Sequence, residues 1–276
     1  MIFISIAMYC EASPFISELH LKKDTYNSKF QIFEKDDIKL IITGTGMISS
    51  ASALTYILTK YNASFSDIFV NIGICGGSDK ISLPIGTVFL CNKIINNDNK
   101  KSFYPDMLFK HPFKEASLES FSHVVTEKDN VQGDLVDMEG AGVFQAASIF
   151  LPPHQIMCIK ILMDFLNTKG ITKEKVSEII NPSVAVICNY INEIAKINLR
   201  QEPILSEDEE DLILKLGNNM KLTNAMAVEL LKLAEAYKVR KGEIIEALSP
   251  FLNINCKSKY EGKMCFGRIK NKLMEL

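Results

Sequence analysis

The sequence contains none of the cysteine and histidine spacings that bind a structural metal. Its seven cysteines include no Cys-x-x-Cys pair, and its four histidines are scattered along the chain. Zinc sites need such ligands in close clusters, so we expect no metal and no organic cofactor. An odd number of cysteines, mostly in apolar runs, indicates buried thiols in a reducing cytoplasm. These are residues 10, 75, 91, 158, 188, 256 and 265.

Signals for membrane insertion and export are also missing. No apolar run reaches the roughly 20 residues that span a bilayer. The apolar start, Met1–Met8, has no basic residues before it and soon reaches Glu11, which is typical of a first β-strand and not of a signal peptide. The formal net charge of -2 gives no general attraction to nucleic acid or anionic lipid. We therefore expect a cytoplasmic protein without a membrane partner.

Two common phosphate-binding motifs are incomplete or absent. The turn Thr43-Gly44-Thr45-Gly46 begins like a dinucleotide fingerprint, but Ser49 stands where the third glycine belongs, and no acidic residue ends a second strand at the expected distance. No Gly-Lys-Ser/Thr triplet exists, which excludes a P-loop. What remains is a glycine turn whose backbone can approach a small ligand closely.

The hydrophobic pattern predicts an α/β fold with a largely parallel sheet, because short apolar runs alternate with segments of helical spacing. A helix is expected to open with Pro14 near its first position. The segment 92–130 is polar and broken by prolines. We interpret its aromatics (Phe103, Tyr104, Phe109 and Phe113) as anchors of a loop, with stacking on a base as the alternative. Strands are predicted at about 2–8, 30–33, 38–42, 67–77, 87–90 and 156–163, and helices at about 48–61, from 138 onward and 171–197.

Acidic residues converge on one edge of this sheet, where α/β proteins bind ligands. Glu11 and Asp164 each follow a strand. Glu139 falls in the first turn of a helix that starts near Met138, where free N–H groups and the macrodipole favour an ionised carboxylate. Lys160 lies inside an apolar strand, which is costly unless the charge is paired or the side chain reaches water. Each feature alone is common, but together they predict a site.

Five motifs occur in the order and approximate spacing of one family: Ala7-Met8-Tyr9-Cys10-Glu11, Thr43–Gly46, Asn71–Gly77, Val136-Asp137-Met138-Glu139 and Lys160–Asp164. Over about residues 1–197 the chain resembles the nucleoside phosphorylase/nucleosidase family, and looks most similar to the 5′-methylthioadenosine/S-adenosylhomocysteine nucleosidases. The resemblance implies a three-layer αβα domain (1–198) with a central mixed, largely parallel sheet. It also implies a homodimer and a role in nucleoside catabolism such as methionine salvage.

The resemblance also implies roles for individual residues. Glu11 matches the glutamate that activates the attacking water, and Asp164 the aspartate that protonates N7 of the purine. Met138 and Glu139 match the pair that holds the ribose, and Lys160 falls where the nucleosidases keep an arginine near the water. Further positions that line the pocket in this family are Ala7, Met8, Thr45, Cys75 and Gly76.

Three departures from the family pattern bear on the chemistry. Ile74 replaces the small hydroxyl residue that helps to hold the nucleophile, and Asn71 stands where the phosphorylases place an arginine, so water is the better nucleophile. The segment before the Met-Glu pair is shorter than in the methylthioadenosine enzymes. The base-stacking phenylalanine is not recognisable around Val124-Val125-Thr126-Glu127.

The C-terminal residues 203–276 have a different character, which predicts a small all-helical domain that the resemblance does not cover. Ser206 and Glu209 form a capping box, Gly217-Asn218-Asn219 is expected to stop that helix, and Thr223 or Asn224 caps the next. Further helices are expected at about 242–248 and 259–273. The last of them is basic, which favours a solvated face, with a nucleic-acid or acidic protein partner as the alternative.

These observations lead to one hypothesis and two alternatives. The hypothesis is an enzyme that hydrolyses the N-glycosidic bond of a purine nucleoside, with 5′-modified adenosines such as 5′-methylthioadenosine or S-adenosylhomocysteine as candidates. Such a reaction passes through a ribosyl cation-like state and needs an acid over the base and a base near the water. The alternatives are a purine nucleoside phosphorylase and a non-catalytic nucleoside sensor that acts through its C-terminal helices.

Overall fold

The computed structural model describes residues 1–25, 29–126, 129–167, 170–198 and 204–274. The chain divides into two compact units, Met1–Gln201 and Glu202–Leu276, which are described separately. Residues 199–202, between the two predicted domains, lie outside the described residues. In the described part of the chain, no helix combines the length and apolar character needed to cross a bilayer.

The first unit alternates strands and helices. Its helices are α1 (Tyr9–Glu18), α2 (Met47–Lys60), α3 (Gly140–Ala147) and α4 (Lys173–Asn198). Its strands are β1 (Ile2–Ile6), β2 (Lys22–Lys23), β3 (Gln31–Lys35), β4 (Ile38–Ile42), β5 (Ile68–Gly77), β6 (Val88–Asn96), β7 (Ser102–Phe103), β8 (Lys114–Ser120), β9 (Leu135–Asp137) and β10 (Ile156–Asp164).

The sheet closes on itself, which the sequence analysis did not predict. Strands β5, β10, β6, β8 and β9 pair in that order, and β9 pairs back onto the end of β5, while β1, β4, β3 and β2 extend from β5. Of the ten pairings among the described residues, five are parallel and five antiparallel. The sheet is therefore mixed, whereas the largely parallel, three-layer arrangement that was predicted is not confirmed. One reason is local: two residues join β3 to β4, and so short a connection permits only an antiparallel pair.

Successive residues of the strands supply two hydrophobic cores. In β1, Ile4 and Ile6 pack with Phe15 of α1 and with the apolar side of α4, whereas Phe3 packs with α2 and α3. This alternation follows from the period of two residues along a strand. The sheet is therefore buried on both sides.

Helix α1 begins earlier than predicted. It starts at Tyr9, so Pro14 lies inside it and not at its first position. A proline within a helix leaves the carbonyl four residues earlier without its usual donor. Here that carbonyl belongs to Cys10, and it accepts a hydrogen bond of 2.7 Å from the Ser177 hydroxyl of α4. The lost bond is thus replaced, and Glu11 lies in the first turn of α1.

The segment 92–130, predicted as a loop, contains the end of β6 together with β7 and β8. The polar sequence of β8 hid this strand, because its polar side chains are paired rather than solvated. Glu119 is fully buried, and its Oε2 accepts hydrogen bonds from the backbone N–H groups of Gln132 (2.6 Å) and Gly133 (3.0 Å). The interpretation of the aromatics as anchors is confirmed for Phe103, Phe109 and Phe113, which pack against the cores.

The second unit consists of helices in its described part: α5 (Glu207–Asn219), α6 (Asn224–Lys241), α7 (Ile244–Leu248) and α8 (Lys259–Met274). The predicted capping box is confirmed, since Ser206 N donates to Glu209 Oε2 at 2.7 Å and Ser206 Oγ accepts from Glu209 N at 3.3 Å. Thr223 caps α6. Helix α5 ends at Asn219, within the predicted stop Gly217-Asn218-Asn219. Two basic side chains form ion pairs within the unit, Lys238 with Glu209 and Lys270 with Glu229.

Two glycines on α8 offer a matched test of packing in the second unit. A Cβ at Gly262 would collide with the carbonyl oxygen of Met220, whereas a Cβ at Gly267 would meet no atom within 4 Å. We expect Gly262→Ala to lower the free energy of unfolding by about 1–3 kcal/mol through overpacking. Gly267→Ala should raise it by about 0.5–1 kcal/mol, because alanine favours the helix. Urea unfolding of both variants measures the difference, and equal effects would contradict the close packing at Gly262.

Candidate active site

A cavity of about 170 Å³ lies where several strands of the first unit end. Residues from the ends of β5, β9 and β10 and from the turns after β1 and β4 line it, so it lies where α/β proteins commonly bind ligands. The lining contains every predicted site residue except Lys160. The full set of lining residues is Ala7, Met8, Glu11, Thr45, Ile74, Cys75, Gly76, His123, Val124, Val125, Val136, Asp137, Met138, Glu139, Asp164 and Leu166.

The Glu11 carboxylate is buried and held by two backbone donors. Its Oε2 accepts from Met8 N at 2.9 Å, and its Oε1 accepts from Ile74 N at 3.0 Å. Burial raises the pKa of Glu11, although both hydrogen bonds and the nearby Lys160 ammonium oppose the rise. Glu11 is therefore fixed in position and takes up a proton more readily than an exposed glutamate.

Glu139 occupies the N-cap position of α3, one residue outside the helix in which it was predicted. Its Oε1 accepts a hydrogen bond of 2.7 Å from Gly46 N, which joins it to the glycine turn after β4. Burial and then the Asp137 charge raise its pKa to about 7, against the opposing effects of Lys160 and this hydrogen bond. The helix start therefore does not hold the pKa of Glu139 at its ordinary value, because the effect of desolvation exceeds that of the helix dipole.

Lys160 is fully buried in β10 and is paired, as its position requires. Its Nζ lies 2.8 Å from Asp137 Oδ2, which also accepts from Gly140 N at 2.7 Å. Burial alone lowers the pKa of Lys160, but the Asp137 charge and other nearby groups raise it above the ordinary value, so the ammonium stays charged. The Ser120 hydroxyl donates to Asp137 Oδ1 at 2.5 Å and accepts from Ala141 N at 2.8 Å.

This network changes two sequence-based expectations. Lys160, grouped with the substrate-binding positions because the nucleosidases keep an arginine there near the water, is not among the lining residues, and its charge lowers the pKa of Glu11 and Glu139. Asp137 was missed, although it stands two residues before Glu139 in the motif that carried the resemblance. The buried lysine was the available signal, because a charge in a strand requires a partner of opposite charge.

Asp164 ends β10 beside Gly76 of β5. Its Oδ1 accepts from Asn167 N at 3.0 Å, and a Cβ added to Gly76 would lie 3.6 Å from this oxygen. Partial burial raises the pKa of Asp164, while hydrogen bonds from Asn167 and Leu166 oppose the rise. A separation of 3.6 Å is ordinary van der Waals contact, so Asp164 would tolerate a side chain at Gly76; the contact that requires glycine is with Val136, whose Cγ2 would lie 2.9 Å from the added Cβ.

The structure also gives the location, relative to the cavity, of the positions at which the sequence departs from the family pattern. The side chain of Ile74 lines the cavity and offers no hydroxyl, while its N–H is used by Glu11. The Asn71 amide is buried outside the lining, where it donates to Ser5 Oγ at 3.0 Å. Val124 and Val125 line the cavity, together with His123, which the sequence analysis did not single out. Glu127 lies outside the described residues.

Ligand types for a metal do not cluster in this unit. Within the described ranges, no group of three or more His, Cys, Asp or Glu side chains is arranged to hold a metal ion. The buried Cys75 thiol lines the cavity, and burial raises its pKa, so it stays protonated near neutral pH. The arrangement is a set of carboxyl groups suited to proton transfer and to binding hydroxyls.

The raised pKa of Glu139 predicts a pH-dependent effect on stability. The folded protein binds this proton more tightly than the unfolded chain does, so the proton favours folding at pH values below the unfolded pKa. That contribution disappears as the pH rises through about 7. Glu139→Gln keeps the acceptor for Gly46 N but cannot ionise. We expect the change that it causes in the free energy of unfolding of the ligand-free protein to be more stabilising at pH 8 than at pH 5, by about 1–3 kcal/mol. Thermal unfolding at both pH values measures this, and a pH-independent difference would contradict it.

Solved structures show which fold this is, whereas no protein-family model and no curated protein sequence matches the chain. The apo 5′-methylthioadenosine nucleosidase of Arabidopsis thaliana is 17% identical with a TM-score of 0.58, and the match covers 73% of this chain and 96% of that one. The 5′-methylthioadenosine/S-adenosylhomocysteine nucleosidase of Campylobacter jejuni is 15% identical (TM-score 0.54, 71% and 98% covered). A futalosine hydrolase mutant of Helicobacter pylori is 12% identical (TM-score 0.57, 70% and 98% covered). The chain has the fold of these nucleosidases.

Proposed function

We propose that the first unit hydrolyses the N-glycosidic bond of a purine nucleoside, with 5′-methylthioadenosine and S-adenosylhomocysteine as the leading candidate substrates. The observation that carries the proposal is that Glu11, Glu139 and Asp164, from three distant parts of the chain, line one cavity. The fold shared with nucleosidases supports it. Glycoside hydrolysis commonly uses a pair of carboxyl groups that flank the scissile bond, and a cavity lined by three carboxyl groups supports such a reaction.

Glu11 is the proposed general base that activates water. Its two backbone hydrogen bonds fix the carboxylate, so no reorganisation is needed as the water approaches. Its raised pKa makes it a stronger base than an exposed glutamate. Lys160 and Glu11 both lie close to Gly73. The positive charge of Lys160 therefore favours the ionised form of Glu11, which catalysis requires.

Asp164 is the proposed general acid, which donates a proton to N7 of the departing purine. Its raised pKa retains the proton closer to neutral pH than an ordinary aspartate would. Glu139 and Met138 are proposed to hold the ribose. The hydrogen bond recorded for Glu139 among the described residues is at Oε1, which leaves Oε2 available to accept from a sugar hydroxyl.

Water is the proposed nucleophile rather than phosphate. Among the described residues that line the cavity there is no lysine or arginine, and the nearby Lys160 is already paired with Asp137. A phosphate ion would need cationic or hydroxyl partners of the kind that Ile74 and Asn71 do not supply. By the same family resemblance we propose a cytoplasmic homodimer with a role in nucleoside catabolism such as methionine salvage.

A panel assay tests the proposal. The full chain is incubated with 5′-methylthioadenosine, S-adenosylhomocysteine, adenosine, inosine and cytidine, each with and without phosphate, and the products are separated by chromatography. We expect free purine and free sugar at rates that do not depend on phosphate. Phosphate-dependent formation of a sugar 1-phosphate would identify a phosphorylase instead. Purine nucleoside binding without any product would identify a sensor, which the missing hydroxyl at Ile74 would then explain.

A further inference from the structure

The cavity contains one ring-bearing side chain. Among the described residues that line it, only His123 carries a ring, and the others are aliphatic, acidic or small. Its imidazole is about half exposed, as expected at the rim of an open cavity. A purine base is a flat aromatic surface that packs most strongly against another ring. His123 is therefore the side chain to examine for recognition of the base.

Two glycines of β5 lie close to the carboxyl groups that are proposed as base and acid. A Cβ added to Gly73 would lie 3.4 Å from Glu11 Oε1 and 3.5 Å from Lys160 Nζ, whereas one added to Gly76 would lie 3.6 Å from Asp164 Oδ1. Three residues of a strand span about 10 Å. Glu11 therefore lies near Gly73, and Asp164 lies near Gly76, about 10 Å further along β5. The part of the cavity beside Gly76 is called the Asp164 end.

The segment that carries His123 lies at the Asp164 end. Its neighbours Phe121 and Val125 form a small apolar cluster with Val136, against which Leu166 packs. Val136 and Leu166 also border Gly76, where a Cβ would lie 2.9 Å from Val136 Cγ2 and 3.3 Å from Leu166 Cδ2. The imidazole therefore borders the part of the cavity in which the proposed acid would meet the base.

The His123 ring is held in a defined orientation. Its Nε2 lies 3.2 Å from Asp129 Oδ1, and its ring meets Phe121 edge-on at a centroid distance of 5.7 Å. Asp129 is itself fixed, since its Oδ2 accepts from Thr126 N at 2.8 Å and from Thr126 Oγ1 at 3.0 Å. These hydrogen bonds lower the pKa of Asp129, and the largest contribution comes from Thr126 N. Asp129 therefore remains an acceptor for the imidazole. The imidazole is thereby restrained before any ligand binds.

We propose that His123 is a specificity-determining residue whose imidazole, oriented by Asp129, forms the ring surface on which a purine base packs. The inference rests on the part of the proposed function that places a purine nucleoside in this cavity. It assigns the selection of a bicyclic base to a residue at a position where the family resemblance offered no aromatic side chain. Val124 and Val125 complete the same wall with apolar surface.

Binding measurements on three variants of the full chain test this inference. His123→Phe keeps a ring, His123→Ala removes it, and Tyr104→Ala removes an exposed ring that does not line the cavity. With 5′-methylthioadenosine in a calorimeter, we expect His123→Ala to raise Kd about 5- to 150-fold, the usual effect of losing one base–ring contact. His123→Phe should stay close to wild type, and Tyr104→Ala should leave Kd unchanged.

Steady-state kinetics provide a second readout. His123→Ala should raise KM with little change in kcat, and it should reduce the preference for adenosine over cytidine. An unchanged Kd in His123→Ala would overturn the inference, and so would a His123→Phe variant as weak as His123→Ala. If the wild type releases no purine yet His123→Ala weakens binding, hydrolysis is wrong and the role of His123 stands. If the wild type hydrolyses purine nucleosides and His123→Ala behaves like wild type, only the role of His123 is wrong.

Discussion

Glu11→Gln is expected to reduce turnover of a purine nucleoside by at least about 10²- to 10⁴-fold, which is the usual contribution of a general base. Glutamine is close in size but cannot take a proton from water. It also presents only one acceptor to the two N–H groups of Met8 and Ile74, so a modest loss of stability is expected as well.

Single-turnover assays at saturating nucleoside measure how far the rate falls in Glu11→Gln. Calorimetry on the same variant shows whether the cavity still binds the nucleoside. Glu18→Gln is a suitable control, because Glu18 is exposed at the other end of α1. Retained binding with lost turnover supports the role of base. Wild-type turnover in Glu11→Gln would remove it.

Asp164→Asn should reduce turnover of a purine nucleoside by a similar factor, but for a different chemical reason. Asparagine has no proton to donate to N7, so the purine must leave as an anion, while the acceptor for Asn167 N is kept. The variant should therefore fold and bind nucleosides normally. Nucleosides whose leaving group needs no protonation should lose much less activity than adenosine derivatives.

The pH dependence separates the roles of the two carboxyl groups. The wild-type rate should fall as the pH drops through the pKa of Glu11, because the base becomes protonated, and as it rises through the pKa of Asp164, because the acid loses its proton. Burial raises the pKa of both groups, which shifts both limbs to higher pH than for exposed side chains. In Asp164→Asn the alkaline limb should disappear. Asp79→Asn, which changes an exposed aspartate, should leave the profile unchanged. An alkaline limb that persists in Asp164→Asn would assign it to another group.

Much of the first unit was predictable because its central strands are buried on both sides. β1, β4, β5 and β10 are rich in branched apolar residues, and a continuous apolar run is what such a strand requires. The partners of β8 lie elsewhere in the chain: the N–H groups that satisfy Glu119 come from residues 132 and 133. Without those partners in view, a polar segment is typical of a loop. The closed order of strands was hidden for the same reason, because pairing is a property of distant segments.

The candidate site shows the same division between local and distant information. Glu11, Glu139 and Asp164 were identified because each stands at a strand end or helix start in a recognisable motif. Asp137 and Ser120 were not identified, since their importance arises only when β9 and β8 place them beside Lys160 and α3. The raised pKa of Glu139 was not predicted, because the helix start is visible in the sequence, while the burial that raises the pKa is not.

The closed ring of strands has a consequence for the order in which the molecule assembles. β10 carries both Lys160 and Asp164, and it pairs with β5 across a separation of 87 residues, as between Asn71 and Cys158. Contacts between such distant segments form slowly, because a long stretch of chain must be ordered first. We expect nucleoside binding to return only in the slowest refolding phase, after most helical circular dichroism has recovered. Until that phase, Asp164 would not yet lie beside Glu11 and Glu139 in a newly made chain. A partly folded molecule would therefore have no capacity for catalysis.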